Sequence, residues 1–294
     1  MYERRKKGIN PLVLIFIIAL VAVCVTLVVL LALGYRYKST DKGYTFFGKV
    51  QSGQPVTGTI KVPGGVTAEL DYMNRTITYS NGDVYTGDIE GIYRHGNGKM
   101  VFATTGDVYE GSFVDDELTG YGTYTYENGD VYVGYLSGGS KEGTGTYTWA
   151  SGARYEGAFQ NGLANGLGVF VWSDGARYEG DFRDGTKDGQ GKFYFSNGDF
   201  YEGQFAADRR EGEGFYKWAN GETYTGTFHA NSMDTRLTDE EGNFIPDGDG
   251  WKHGEKAVYT WPDGTYTGYF EAGRIVVVDD TVPPDVSDPA DGAQ

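Results

Sequence analysis

Cysteine is nearly absent from these 294 residues. The one thiol, Cys24, lies in a hydrophobic stretch near the N-terminus, so neither a disulfide framework nor a cysteine-based zinc site can form within one chain. Only 3 histidines occur, His95, His229 and His253, at no metal-ligand spacing, and they read as surface or loop residues. Proline is scarce, at 8 residues, and Lys plus Arg number 25 against 41 Asp plus Glu. Six of those basic residues and one acid fall in the first 38 positions, which leaves 19 basic and 40 acidic residues beyond. A domain so acidic is a poor partner for nucleic acid or an anionic lipid surface, both of which are bound through basic patches. No Gly-x-x-x-x-Gly-Lys-Ser/Thr loop is present, no nucleophile stands in a recognisable setting, and adjacent acids such as Asp115 and Asp116 are ordinary turn residues. No catalytic residue, cofactor or metal is expected.

Glycine and tyrosine are abundant, at 47 and 24 residues, and they recur together. Tyr85, Tyr109, Tyr132, Tyr155, Tyr178, Tyr201 and Tyr224 follow one another at one step of 24 and then steps of 23 residues, which makes the chain a repeat array. Each unit holds two short segments of period 2, such as residues 143–149 and 155–159, and both read as strands. Between them stand Asn81-Gly82, Asn128-Gly129, Ser151-Gly152, Asp174-Gly175, Asn197-Gly198 or Asn220-Gly221, which are hairpin-turn signals because Gly tolerates positive φ. Alternation puts Tyr155, Gly157 and Phe159 on one side with Gly143, Gly145, Tyr147 and Trp149; Thr144, Thr146, Thr148, Glu156 and Ala158 take the other. Glycine on the aromatic face then leaves room for a neighbouring ring.

The pattern Tyr-x-Gly-x-Phe, a short loop, then Gly-x-Gly and an aromatic strand resembles MORN repeats (membrane occupation and recognition nexus), from about residue 81 to residue 270 with one interruption. The resemblance implies an all-β fold: an elongated single sheet of antiparallel hairpins. It implies no one activity, since such repeats occur in lipid-kinase, methyltransferase, junctional-membrane and cytoskeletal proteins.

In chain order, residues 1–11 form a basic tail containing Arg4, Arg5, Lys6 and Lys7, followed by 22 positions, 12–33, without a charge or a proline. A helix of that length, at about 1.5 Å per residue, spans a bilayer core, and the reading is a transmembrane helix over 12–34 rather than a cleaved signal peptide. The compact basic cluster ahead of the span favours a cytoplasmic N-terminus and an extracytoplasmic repeat domain. Residues 35–43 read as a linker, and 44–80 as worn, capping repeats in which aliphatics replace aromatics. The repeats proper occupy 81–228. An insertion over 229–254 reads as a solvated loop, its Asp247-Gly248-Asp249-Gly250 lacking the later Glu and a third oxygen ligand of a calcium loop. A degenerate last repeat and capping strand follow over 255–278, then a disordered acidic tail over 279–294.

Anchor, repeats and tail leave no room for a catalytic domain, so a binding role is expected: a membrane-anchored scaffold that presents an extended aromatic and acidic β surface to a protein partner, or to itself. The candidate binding residues are those of the aromatic face, Tyr132, Trp149, Tyr155, Trp172, Tyr178, Tyr201, Trp218 and Tyr224. The alternative is a cell-surface carbohydrate-binding module, because aromatic faces stack on sugars. A third reading, phospholipid headgroups, is opposed by the acidic charge.

Overall fold

The computed structural model describes residues 10–248 and 250–276. The basic cluster at 4–7, the Asp249 position, the end of the capping strand at 277–278 and the acidic tail lie outside them. Helix α1 (Pro11–Ala32) opens on Asn10, whose Oδ1 accepts from the Leu12 N–H at 3.0 Å, with Pro11 in the first turn, where a missing N–H costs nothing. It is long and apolar enough to cross a membrane, and none of its residues is buried. Gly34, at φ 88°, turns the chain immediately into a strand, β1 (Tyr35–Ser39). The expected linker over 35–43 is therefore mostly a strand: β1 pairs along its whole length with β2 (Thr45–Gln51), and its register could not be read because it has no buried face to impose alternation.

The chain divides into two compact units, at Thr119/Gly120. In the first, β1 and β2 are followed by β3 (Gln54–Lys61), β4 (Thr67–Asp71), β5 (Thr76–Tyr79), β6 (Val84–Glu90), β7 (Tyr93–Val101) and β8 (Val108–Val114), each antiparallel to the next. The worn repeats keep the repeat's physics: Phe46 lies over the facing pair Gly48 and Gly58, where a Cβ on either glycine would come within 2.9 Å of the ring.

The second unit continues through β9 (Glu117–Thr125), β10 (Val131–Ser137), β11 (Ser140–Thr148), β12 (Arg154–Gln160), β13 (Leu163–Val171), β14 (Arg177–Arg183), β15 (Thr186–Tyr194), β16 (Phe200–Ala206), β17 (Arg209–Lys217) and β18 (Thr223–His229), again antiparallel in order. The register matches the alternation: Gly143 faces Phe159, Gly145 faces Gly157 and Tyr147 faces Tyr155.

Two kinds of turn alternate. After β11 the Gly152 N–H donates to the Trp149 carbonyl and the Trp149 N–H to the Ala153 carbonyl, with Gly152 at φ 91°, a three-residue loop ending in a left-handed glycine. The residue before that glycine supplies a side-chain acceptor, as Asn128 Oδ1 does for the Asp130 N–H at 2.9 Å. After β12 the loop is two residues, Asn161 at φ 50° and Gly162 at φ 84°, whose handedness suits twisted strands. The sequence reading named only the first kind.

Next to each two-residue turn the hairpin bulges: one residue, Ala158, Asp181 or Gln204 in successive units, faces three on the following strand, residues 165–167, 188–190 or 211–213. The tyrosine hydroxyl three residues earlier donates to the carbonyl of the residue that faces the bulge: Tyr155 to Ala158 at 2.9 Å, Tyr178 to Asp181 at 3.0 Å, Tyr201 to Gln204 at 2.9 Å. A bulge disrupts the ladder locally. The hydroxyl gives that carbonyl a partner, which explains tyrosine rather than phenylalanine here.

The insertion begins later than its expected bound of 229 and is folded. Strand β19 (Ser232–Met233) already pairs with β18, and the same strand line resumes at β22 (Ala257–Trp261), also on β18; β23 (Gly264–Glu271) and β24 (Arg274–Val276) close the unit. The extra chain thus leaves and re-enters within a strand, at the site of the bulge in other units. Between them a small hairpin of β20 (Pro246–Asp247) and β21 (Gly250–Trp251) forms. Arg236 holds Asp234 at 2.6 Å and lies 3.6 Å over the Phe244 ring, and the Thr235 hydroxyl bonds both the Phe270 backbone and His253. A solvated loop was expected for want of calcium ligands; the bonds of Thr235 to His253 and Phe270 join residues far apart in sequence. His253 is correspondingly no free loop histidine, its ring stacking 4.7 Å from that of Tyr269.

Candidate functional site

Aromatic side chains of the second unit form two rows on one face of the sheet. In the inner row the repeat tyrosines from Tyr155 on stand edge-on between two phenylalanines, their own and the next unit's: Tyr178 lies 5.2 Å from Phe182 and 5.0 Å from Phe205. Tyr155 and Tyr201 repeat the arrangement. Such edge-to-face pairs contribute about 0.5–1.5 kcal/mol each beyond area burial. The rings cover the facing glycines; a Cβ on Gly157 would sit 2.6 Å from the Tyr155 hydroxyl and 2.6 Å from Gly168 Cα. Tyr132, Tyr155, Tyr178, Tyr201 and Tyr224 are buried, each exposed by 2% or less, with every hydroxyl hydrogen-bonded to a backbone carbonyl.

Burial withholds solvent from the phenolate these tyrosines would form. It pushes the Tyr132 and Tyr155 hydroxyls up from 10.0 to about 12, and those of Tyr178, Tyr201 and Tyr224 further in the same direction. Because the folded-state value lies above the unfolded one, stability is intact below about pH 10 and is lost as pH rises from there through about 12. The expected result is a single cooperative alkaline transition in which circular dichroism and tyrosinate absorbance change together. Gradual ionisation of these tyrosines near pH 10 with the fold intact would contradict their burial.

The outer row is continuous and half-buried over its middle. Tyr147 packs 4.5 Å from Trp149, Trp149 lies 5.1 Å from Phe170, Phe170 4.3 Å from Trp172, and Trp172 5.1 Å from Phe193. Phe195, Tyr216 and Trp218 extend it, Trp218 being 8% exposed. Of the eight candidate binding residues, Trp149 and Trp172 therefore reach a solvent-facing row, Trp218 lies at its buried end, and the five tyrosines lie beneath it.

Cations are set into this aromatic floor. Lys187 Nζ stands 5.3 Å over Trp172 and 5.3 Å over Phe193; Lys141 stands 5.0 Å over Tyr147 and Arg210 5.2 Å over Tyr216. Burial draws the Lys187 amine below its ordinary value, partly offset by Asp208, 3.6 Å away, and burial lowers Lys141 likewise. Trp172, Lys187, Phe193, Phe195, Asp208 and Arg210 border a cavity of about 290 Å³. The sequence reading missed these cations although they carry a signal, each falling nine residues after a repeat tyrosine; Leu118 and Ala164 occupy the same place in other units and hide the period. Among the described residues no cluster of His, Cys, Asp or Glu could hold a metal ion.

No curated protein matches the chain. Solved structures similar to it include the TCP10c domain of Drosophila melanogaster Sas-4, at 16% identity over 58% of this chain and 99% of that one, TM-score 0.32. The TCP10 domain of Danio rerio CPAP matches at 12% identity over 78% and 95%, TM-score 0.31. A third is the Drosophila melanogaster SAS-4 TCP domain in complex with a proline-rich motif of Ana2, at 13% identity over 76% and 95%, TM-score 0.26. The MORN repeat model matches residues 85–106, 109–131, 132–154, 155–177, 178–200, 201–223 and 249–266, more than half of the sequence. With the tyrosine, glycine-pair and bulge geometry repeated through those same residues, the chain belongs to the MORN repeat family.

Proposed function

We propose that this protein is a membrane-anchored scaffold whose outer aromatic row binds an extended segment of a protein partner. The observation that carries the reading is the continuity of that row, from Tyr147 through Trp149, Phe170, Trp172 and Phe193, with Lys187 above its middle. Its pitch favours a partner of particular form. One unit of two strands advances about 9.6 Å across the sheet, and a polyproline II helix advances about 9.3 Å per three-residue turn. One proline per turn therefore meets one aromatic group per unit. The surrounding acidic surface favours Lys or Arg on the segment's flanks.

A lysine-flanked proline-repeat peptide is accordingly expected to bind the full chain more tightly than a Gly/Ser peptide of equal length and charge. Replacing Trp149 and Trp172 by Ala should cost about 2 kcal/mol or more, roughly thirtyfold, and erase the difference. Equal affinity for the two peptides, or binding untouched by the double substitution, would contradict the reading.

The anchor is α1, which carries no charge and buries no residue. In the proposed orientation the N-terminus is cytoplasmic and the repeats lie outside. Protease added to intact cells is then expected to digest the repeats; digestion only after lysis would reverse the assignment.

A further inference from the structure

Arg94 in the first unit and Arg210 in the second hold the same place in their repeats, nine residues after Tyr85 and Tyr201. Each meets a two-residue turn through the same pair of backbone bonds. The Asp116 N–H donates to the Arg94 carbonyl and the Asn231 N–H to the Arg210 carbonyl, both at 3.0 Å. In return Asp116 Oδ1 and Asn231 Oδ1 each accept the arginine's backbone N–H at 2.8 Å. Beside Arg94 that turn residue is a carboxylate, 3.2 Å from Nε. Beside Arg210 it is an amide; Arg210, 3% exposed, bonds the Tyr216 hydroxyl through its side chain, and that hydroxyl donates to Asp199 at 2.6 Å. The position is built for a cation with an anion against it, and at Arg210 the chain supplies the anion only through Tyr216.

Lys187 borders the same cavity of about 290 Å³. Its Nζ lies 5.3 Å over Phe193 and the Arg210 guanidinium 5.9 Å over Phe195, rings whose centroids are 4.3 Å apart. The Lys187 side chain is 15% exposed, against 53% for that of Asp208. The other bordering acid, Asp174, stands in an exposed turn, where its Oδ1 accepts from the Ala176 N–H at 2.9 Å. Positive charge therefore lies at the floor of the cavity and negative charge at its rim. Charges act more strongly where water is excluded, so the floor decides what the cavity takes in and the rim decides what flanks it. Two cations desolvated side by side also repel: burial and, more weakly, Arg210 draw the Lys187 amine down, a cost that an anion between them relieves.

We propose that this cavity takes the carboxylate of a glutamate within the partner's extended segment, bound between Lys187 Nζ and the Arg210 guanidinium, with Lys or Arg on either side of it meeting Asp174 and Asp208. The inference rests on the outer row being a peptide site. The carboxylate belongs to a residue within the segment rather than to its end, because the row runs past the cavity both ways. Trp149 and Phe170 continue it on one side, Tyr216 and Trp218 on the other.

The test uses the full chain in detergent and amidated, lysine-flanked proline-repeat peptides that differ only in a central Glu, Gln or Lys. The Glu peptide is expected to bind about tenfold more tightly than the Gln peptide, the effect of one charge-assisted contact, and the Lys peptide more weakly than either. A desolvated pair is screened little, so the ratio of Glu to Gln is expected to hold from about 0.05 to about 0.5 M salt while both affinities fall. Lys187→Met keeps an apolar chain over the rings and is expected to bring the ratio near one; Lys187→Arg is expected to restore most of it. Equal binding of the Glu and Gln peptides to the unaltered chain would overturn the inference and leave the row standing as a peptide site. So would a preference that survives Lys187→Met, or one that disappears in salt. A Gln peptide with a free C-terminal carboxylate that binds as tightly as the amidated Glu peptide would overturn it in favour of a chain end. Binding of all these peptides no better than a Gly/Ser peptide would overturn the peptide-site reading, and the inference with it.

Discussion

Gly157→Val is expected to destabilise the repeat domain by about 3 kcal/mol, at the upper end of overpacking costs. Ala158→Thr, one residue on, is expected to stay within about 0.5 kcal/mol. At Gly157 the new Cβ would meet the Tyr155 hydroxyl at 2.6 Å, Gly168 Cα at 2.6 Å and the Leu167 carbonyl at 2.7 Å. Two of these are backbone atoms, which cannot rotate aside, and the third belongs to a ring held between Phe159 and Phe182. Moving that ring would also break its bond to the Ala158 carbonyl, so the cost has no cheap relief. Position 158 faces the other way, and its equivalents hold Asp181, Gln204 and Thr227, so side chains of that size already fit. Thermal unfolding of the two variants checks this: equal shifts would refute the assignment of faces.

What could be read from the sequence was what every unit needs in the same chemical form. A tyrosine over a glycine pair has no substitute of equal shape, so Tyr155 with Gly157 and Gly168 recurs unaltered as Tyr178 with Gly180 and Gly191, and the period, strands and faces followed from it. The bulges were hidden because the glycine each contains, Gly166, Gly189 or Gly212, reads as the ordinary first glycine of a Gly-x-Gly strand, although its φ is positive. The short strand β1 was hidden because both its faces are largely exposed. In the insertion, the bond between Thr235 and Phe270 and the stacking of Arg236 on Phe244 join residues that no local pattern connects. The candidate site was half legible. Aromatics on one face could be named, but which of them reach solvent depends on the edge-on contacts that sink Tyr178 and leave Trp172 at the rim. Lys187 and Arg210 look like surface charges until their place over the rings is seen.

Each 23-residue unit is interchangeable with the next because neighbouring strands meet through the same residues. Array stability is then a sum of unit and nearest-neighbour terms. Deleting residues 128–150 removes β10 and β11 together and brings β9 against β12. On β9, Gly122 and Tyr124, which now face Gly134 and Tyr132, would face Gly157 and Tyr155 in the same register. Deleting residues 139–150 instead removes β11 alone and leaves β10 joined to a strand running the same way, with which it cannot form a hairpin. Thermal unfolding of the full chain in detergent, followed by circular dichroism and by tryptophan fluorescence, separates the two. The first deletion is expected to keep one cooperative transition with a midpoint lowered by a few degrees, and the second to abolish it. Loss of the cooperative transition on deleting residues 128–150, or equal behaviour of the two deletions, would contradict the interchangeability of the units.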